Sequence, residues 1–135
     1  MAIPTLIGAL KDSDAWVRLS AVISLGYFKG EAKTAIPDLT RFLNDPDWHM
    51  RQAVNLTLGK IGGQTEVPLL IQQLKGDDYA VRISAATALG DIGGHEAFDA
   101  LMQATNDPVE IVRKEVFVSL KRIDPMWPEH PSKKE

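Results

Sequence analysis

An arginine recurs at Arg18, Arg51, Arg82 and Arg113, at intervals of 33, 31 and 31 residues, each time inside the same frame. The frames run from Asp14 to Ala21, Asp47 to Val54, Asp78 to Ala85 and Val109 to Val116. Other columns keep that register: Pro4, Pro37 and Pro68; Leu6, Leu39, Leu70 and Leu101; Leu25, Leu58, Leu89 and Leu120; Gly26, Gly59 and Gly90. A period near 31 residues marks a solenoid, in which each unit buries its apolar face only against its neighbours. Function must then lie on the surface of the stack.

Each unit holds two helices. Ile36, Leu39 and Leu43 lie at helical spacing in the first, and Val81, Ala85 and Leu89 in the second. Strand alternation is absent. The punctuation agrees: Asp12 and Asp45 are placed to cap second helices, with Pro46 and Pro108 in a first turn, where a missing amide is harmless. Thr34 and Thr65 are expected to cap the following first helices, and Pro37 and Pro68 to lie just inside them. Gly62-Gly63 and Gly93-Gly94 are expected to end second helices in the left-handed conformation.

A chain of 135 residues with 44% hydrophobic content can bury a real core, and four units exceed the roughly three that a stack needs. The units span about residues 2–33, 34–64, 65–95 and 96–124 of one domain, 1–124, and the proline-rich, charged stretch 125–135 reads as a tail whose start Trp127 pins. No apolar run of membrane-spanning length and no export leader is present, which leaves membrane insertion without support. The absence of cysteine fits a reducing, cytoplasmic compartment. A formal charge of −3 offers no general attraction to phosphate backbones, so no nucleic-acid partner is expected.

The pattern formed by Asp78, Val81, Arg82, Ala85, Leu89, Gly90, Ile92 and Gly93 resembles the short HEAT-like repeat of the phycobilisome-lyase type. The resemblance covers about residues 2–124 and implies an all-α fold: a right-handed α-solenoid of four HEAT-like helix pairs with a short C-terminal tail. It also implies that first helices line the convex side and second helices the concave side. The family serves bilin lyases, relatives in phycobilisome turnover, metal-dependent hydroxylases and plain scaffolds, so fold alone does not select among them.

If Val17, Ala21, Leu25 and their equivalents take the core side of each second helix, a defined set faces the groove. It comprises Trp16, Leu19 and Ile23; Trp48, His49, Gln52 and Leu56; Tyr79, Ile83 and Thr87; and Glu110, Ile111, Lys114 and Val118. Such an apolar stripe at water-facing positions marks a partner site, the alternative being that its members pack between repeats. The arginines Arg18, Arg51, Arg82 and Arg113 are expected to pair with Asp14, Asp47 and Asp78 in a structural ladder that sets the stacking register, re-routed at Val109. A catalytic or anion-binding role is the lesser alternative.

Catalytic constellations are hard to find. His49, His95 and His130 show no ligand spacing. By resemblance, the hydroxylases carry His-Glu pairs directly after the repeat arginine, and here those positions hold Leu19-Ser20, Gln52-Ala53, Ile83-Ser84 and Lys114-Glu115. Gly59-Lys60 lacks the remainder of a phosphate loop, and Asp77-Asp78 reads as turn and cap. No catalytic residue, metal or cofactor is therefore expected. The sequence points to a non-enzymatic scaffold that holds a protein partner in its groove, with a bilin lyase-related or bilin-handling role as the alternative, because Trp16, Trp48 and Tyr79 could stack on a tetrapyrrole. Nucleic-acid binding is disfavoured, since the groove's cations are chiefly Lys60, Lys114 and Arg122. Met1-Ala2-Ile3-Pro4 enters the first unit without a polar cap, so either the chain is a piece of a longer solenoid or that edge is expected to self-associate or meet a further domain.

Overall fold

The computed structural model describes residues 2–129, which form eight α-helices and no strand. In chain order they are α1 (Ala2–Ala9), α2 (Ala15–Tyr27), α3 (Ile36–Thr40), α4 (Trp48–Ile61), α5 (Val67–Leu74), α6 (Tyr79–Ile92), α7 (His95–Gln103) and α8 (Glu110–Ile123). They pair as α1–α2, α3–α4, α5–α6 and α7–α8, an α-solenoid. The second helices α2, α4, α6 and α8 pack on one another in succession, more closely than the first helices do. A stack that is tighter on one side curves toward that side, which puts the second helices on the inner face.

The leucine columns form the spine. Leu25, Leu58, Leu89 and Leu120 are fully buried, as are Leu39, Leu70 and Leu101, with Ala21 and Ala85 beside them. Each fully buried leucine contributes about 1.5–3 kcal/mol from apolar burial, and its partners come from its own and adjacent units. The first unit departs from this pattern. Leu6 and Val17 occupy core columns, yet Leu6 is half-buried and Val17 is 37% exposed, where Val112 in the same column is 0% exposed. Among the described residues no unit covers that end, so core-type side chains there stay wet.

The longer first interval has a structural origin. Between Phe28 and Ile36 the chain runs through a 3-10 segment, Lys29–Ala35, which is two residues longer than the equivalent link between Ile61 and Val67. It begins at Lys29 with φ 50°, and it tucks Ala32 and Ala35 into the core. The expected run of one helix through Leu43 does not hold: α3 stops at Thr40 and relaxes into a 3-10 turn, Arg41–Asn44, that still buries Leu43.

Several caps differ from expectation. The second helices are capped by Asp14, Asp47 and Asp78, whose carboxylates accept from the amides of Trp16, His49 and Ala80 at 2.8, 2.9 and 2.8 Å. Asp12 and Asp45 stand two residues earlier and accept from the amides of Asp14 and Asp47, so they brace the turn instead of capping the helix. Pro46 and Pro108 accordingly precede the caps Asp47 and Val109 and lie outside the first turn. Thr34 makes no cap, and Thr65 donates to Glu66, whose carboxylate accepts from the Gly63 amide at 3.1 Å in the true capping interaction. Pro37 and Pro68 do sit in the first turns of α3 and α5. Gly93 and Gly94 have φ of 75° and 93° with ψ of −163° and 169°, a region open essentially to glycine but not the left-handed helical conformation expected, and Gly62 and Gly63 are extended.

The expected tail spans residues 125–135, of which 130–135, including His130, lie outside the described residues. Trp127 packs its ring against Phe117 at 5.5 Å, and its amide donates to the Asp124 carbonyl at 2.9 Å. This anchors the segment that follows α8.

Candidate partner-binding groove

The turn that leads into each second helix is built by the repeat arginine. Arg18 Nη1 donates to the Asp12 carbonyl at 2.7 Å, Arg51 to that of Asp45, Arg82 to that of Gly76 at 2.9 Å and Arg113 to that of Asp107 at 2.7 Å. In every case the acceptor lies six residues back in the same unit. The expected ladder of Arg18, Arg51, Arg82 and Arg113 with Asp14, Asp47 and Asp78 is thus corrected: those aspartates are occupied as caps, and the guanidinium fork closes its own loop. The motif also persists at Arg113, although Val109 makes no side-chain cap. A turn carbonyl needs a donor once the following helix claims the nearby amides, and a planar guanidinium reaches it without a second loop.

One of the four repeat arginines does cross between units. Arg82 Nε donates to Asp107 Oδ2 at 2.9 Å and Nη2 to Oδ1 at 3.3 Å, with both side chains about nine-tenths buried. Asp107 Oδ1 also accepts from the Val109 amide, which makes this carboxylate the joint between the third and fourth turns. Asn55 and Thr57 fasten other joints: Asn55 Nδ2 donates to Ser84 Oγ at 3.1 Å, and Thr57 Oγ1 to the Val22 carbonyl at 3.1 Å.

These turns present a row of side chains on the second-helix face. None of the fourteen residues expected to face the groove is buried, and Glu110 is exposed. Trp16 (76% exposed), Ile23 (43%), Tyr79 (53%) and Ile111 (54%) are open to solvent, as are Trp48, His49, Lys114 and Val118. Leu19, Gln52, Leu56, Ile83 and Thr87 are half-buried, and Leu19 and Ile83 also rest on the core. Thr87 Oγ1 donates to Glu115 Oε2 at 2.6 Å, so it ties α6 to α8 as well as facing outward.

The apolar part is concentrated between α2 and α4. Leu19, Ile23, His49, Gln52 and Leu56 line a cavity of about 390 Å³ together with Ala53, Thr57 and Lys60. A second cavity, of about 560 Å³, is walled by Trp16, Leu19, His49 and Met50 and by the turn carboxylates Asp45 and Asp47. The two share Leu19 and His49 and form one trough across the first two units. Tyr79, Ile83, Thr87, Ile111, Lys114 and Val118 line neither cavity. Reading helix faces alone misses Arg18, Asp45, Asp47 and Met50, because turn and core residues enter the trough through the packing of two units, whereas Lys60 lines it as an expected groove cation. The aligned pairs Asp12–Asp14 and Asp45–Asp47 were the available signal.

At the mouth, the His49 ring stacks on Trp48 with centroids 3.7 Å apart, and Nδ1 lies 3.0 Å from Asp47 Oδ1. The His49 amide and then its ring hold the Asp47 carboxyl below the usual carboxylate range. A lowered folded pKa makes the contribution of this cap present at neutral pH and lost as pH falls through the lowered value. Asp47→Asn is therefore expected to flatten the acid limb of melting temperature plotted against pH. At the far end of the trough, Lys60 Nζ lies 5.4 Å from the centre of the Tyr27 ring.

The remaining chemistry-bearing side chains do not converge. His95 Nε2 lies 3.4 Å from Asp99 on exposed α7, and among the described residues no three His, Asp or Glu side chains gather as a metal site would require. No helix among them is long and apolar enough to cross a membrane.

Stacked antiparallel helix pairs with a shared second-helix layer define a helical-repeat solenoid. The chain belongs to the HEAT-repeat family, whose model matches residues 3–77 and again 67–130. Among curated proteins none matches the sequence significantly. Among solved structures, human deoxyhypusine hydroxylase in complex with glycerol is similar at 28% identity and a TM-score of 0.76, over 91% of this chain and 43% of that one. This chain thus spans less than half of the hydroxylase's length. The complex of CpcE and CpcF of phycocyanin lyase from Nostoc is similar at 21% identity and a TM-score of 0.72, covering 98% of this chain and 84% of that one. An engineered protein is similar at 22% identity and a TM-score of 0.67, over 91% and 62% of the two chains. The likenesses under 25% identity speak for the fold.

Proposed function

We propose that the protein is a non-enzymatic scaffold that binds a protein segment along the trough between α2 and α4. The observation that carries this reading is the exposure of Trp16 and Ile23 beside the half-buried Leu19 and Leu56, an apolar strip on a face that a free solenoid would leave polar. The rim is mixed, with Asp45 and Asp47 at one end and Lys60 at the other. Apolar anchors of this size contribute roughly 1.5–3 kcal/mol each when buried, before the cost of association is subtracted. A few anchors in such a trough could dominate the affinity.

The hydroxylase likeness gives little support to catalysis here. The two positions after each repeat arginine hold Leu19-Ser20, Gln52-Ala53, Ile83-Ser84 and Lys114-Glu115, without a His-Glu pair. Likeness to the phycocyanin lyase complex favours a second reading, in which the trough accepts a bilin or a bilin-bearing subunit and Trp16 stacks on the chromophore. Mixing purified protein with a bilin separates the two: a red-shifted, protein-induced absorbance band would support the second reading.

For the first, a photo-cross-linking residue at position 52, which lines the trough, is expected to capture a protein from the source extract, while one at Asp38 on α3 captures none. Ile23→Glu should abolish capture with melting nearly unchanged, because Ile23 is already exposed. Cross-links that arise equally from Asp38, or capture that survives Ile23→Glu, would sink the groove reading. Leu19 and Ile83 are poorer probes, since both also pack on the core.

A further inference from the structure

The trough between α2 and α4 lies at an interior joint of the stack, and its walls restrict the backbone that can fill it. Leu19 and Ile23 lie one turn apart on α2, and His49, Gln52, Leu56 and Lys60 climb one face of α4. Lys60 stands eleven residues after His49, which makes the trough about 16 Å long, or three turns of helix. Its hydrogen-bonding groups are few. Thr57 already donates to the Val22 carbonyl, which leaves Gln52 as the amide that a strand would need. An extended segment laid there would keep backbone groups unpaired against Leu19, Ile23 and Leu56, whereas a helix satisfies its backbone internally.

The two ends of the trough differ in charge. At the turn end, Asp45 and Asp47 wall the larger cavity beside Trp16. Oδ1 of each accepts a backbone amide, and among the described residues no donor meets Oδ2 of either. Arg18 is the cation in that wall, and its Nη1 is committed to the Asp12 carbonyl at 2.7 Å. At the far end Lys60 is exposed and, among the described residues, pairs with no carboxylate. An occupant that complements both ends carries a cation over Asp45 and Asp47 and an anion over Lys60. Both α2 and α4 run from the carboxylates toward Lys60. A helix laid antiparallel to them opposes their dipoles, and it then holds its anion in its first turn and its cation in its last, where its own dipole favours each.

We infer that the occupant is a three-turn amphipathic helix of a partner protein, antiparallel to α2 and α4, with Asp or Glu in its first turn at Lys60 and Lys or Arg in its last turn over Asp45 and Asp47. This inference rests on the reading of the trough as a protein-binding site and specifies what it binds. The apolar side chains of the helix, at helical spacing, meet Leu19, Ile23 and Leu56. Its basic side chain enters the cavity between Trp16 and the two carboxylates, where the ring face and the charge both favour a cation. A helix with an acidic last turn would meet like charge at Asp45 and Asp47, and is rejected there.

Selection of random linear peptides displayed on phage against the whole chain tests this, with the Ile23→Glu protein used to discard sequences that bind elsewhere. Enriched peptides are expected to carry apolar residues at helical spacing, with an acidic residue about eleven positions before a basic one. Asparagine keeps an acceptor oxygen for the turn and the cap, so Asp45→Asn with Asp47→Asn should preserve the helical signal. That double variant should bind an enriched peptide roughly tenfold more weakly, and its affinity should respond less to added salt than the parent's does. Asp38→Asn on α3 should change neither. Enriched peptides that alternate apolar and polar residues or contain proline, that lack the basic residue, or that bind the double variant as well as the parent would overturn the helix inference and leave the trough reading standing. Failure to enrich any sequence that the Ile23→Glu protein rejects would overturn both.

Discussion

Leu89→Glu is expected to abolish the cooperative unfolding transition and most of the helical circular dichroism at neutral pH. Leu89 is fully buried at the centre of the third unit, between α6 and its neighbours. Truncating such a leucine to alanine costs about 2–5 kcal/mol, and glutamate adds an unpaired buried carboxylate worth several kcal/mol more. The total rivals the 5–15 kcal/mol that typically holds a domain together. In a solenoid the damage is not local, because each unit is stable only through its two neighbours. Losing the third unit strands the fourth and leaves the first two with a second open end. Leu89→Ala should retain the fold with a lowered melting temperature; a Leu89→Glu protein that melts like the parent would mean the leucine column is not the spine.

Gly59→Ala should lower the melting temperature by several degrees, and Gly26→Ala should not, although the two glycines share one column. The reason is what each new methyl would meet. At Gly59 the nearest atoms are the Cα and Cβ of Ala88, at 2.7 and 2.8 Å, so α4 and α6 would have to separate. Overpacking of this kind costs about 1–3 kcal/mol, and for a chain of this size each 1 kcal/mol moves the midpoint by roughly 3–6 °C. At Gly26 the nearest atom is Lys60 Cδ at 3.3 Å, near the end of a flexible side chain that can move aside. There the gain in helix propensity, about 1 kcal/mol from glycine to alanine, can prevail. Thermal melts of the two single variants decide the matter, and equal destabilisation would contradict the different separations of α2–α4 and α4–α6.

The same contrast between column and context runs through the groove. Trp16 and Ile111 occupy one helical phase and both are exposed, as the 31-residue register implies, because phase is a local property of an α-helix and repeats with the sequence. The trough was not legible in that way. It exists where α2 and α4 diverge enough to leave space between Leu19, Leu56 and the turn at Asp45–Asp47, and the residues across that gap are more than twenty positions apart.

From its order of residues alone, the chain determined the period, the two helices of each unit, the leucine spine and the face that second helices present, since all of these follow from helical phase and nearest-neighbour burial. Tertiary structure decided what the columns could not express. The arginines serve their own turns because Asp14, Asp47 and Asp78 are already committed to backbone amides. Val17 and Leu6 stay partly exposed because burial depends on having a neighbour, not on having the right residue. Gly26, indistinguishable as a letter from Gly59 and Gly90, differs from both by the distance to the next helix, which is set by every side chain packed between the two.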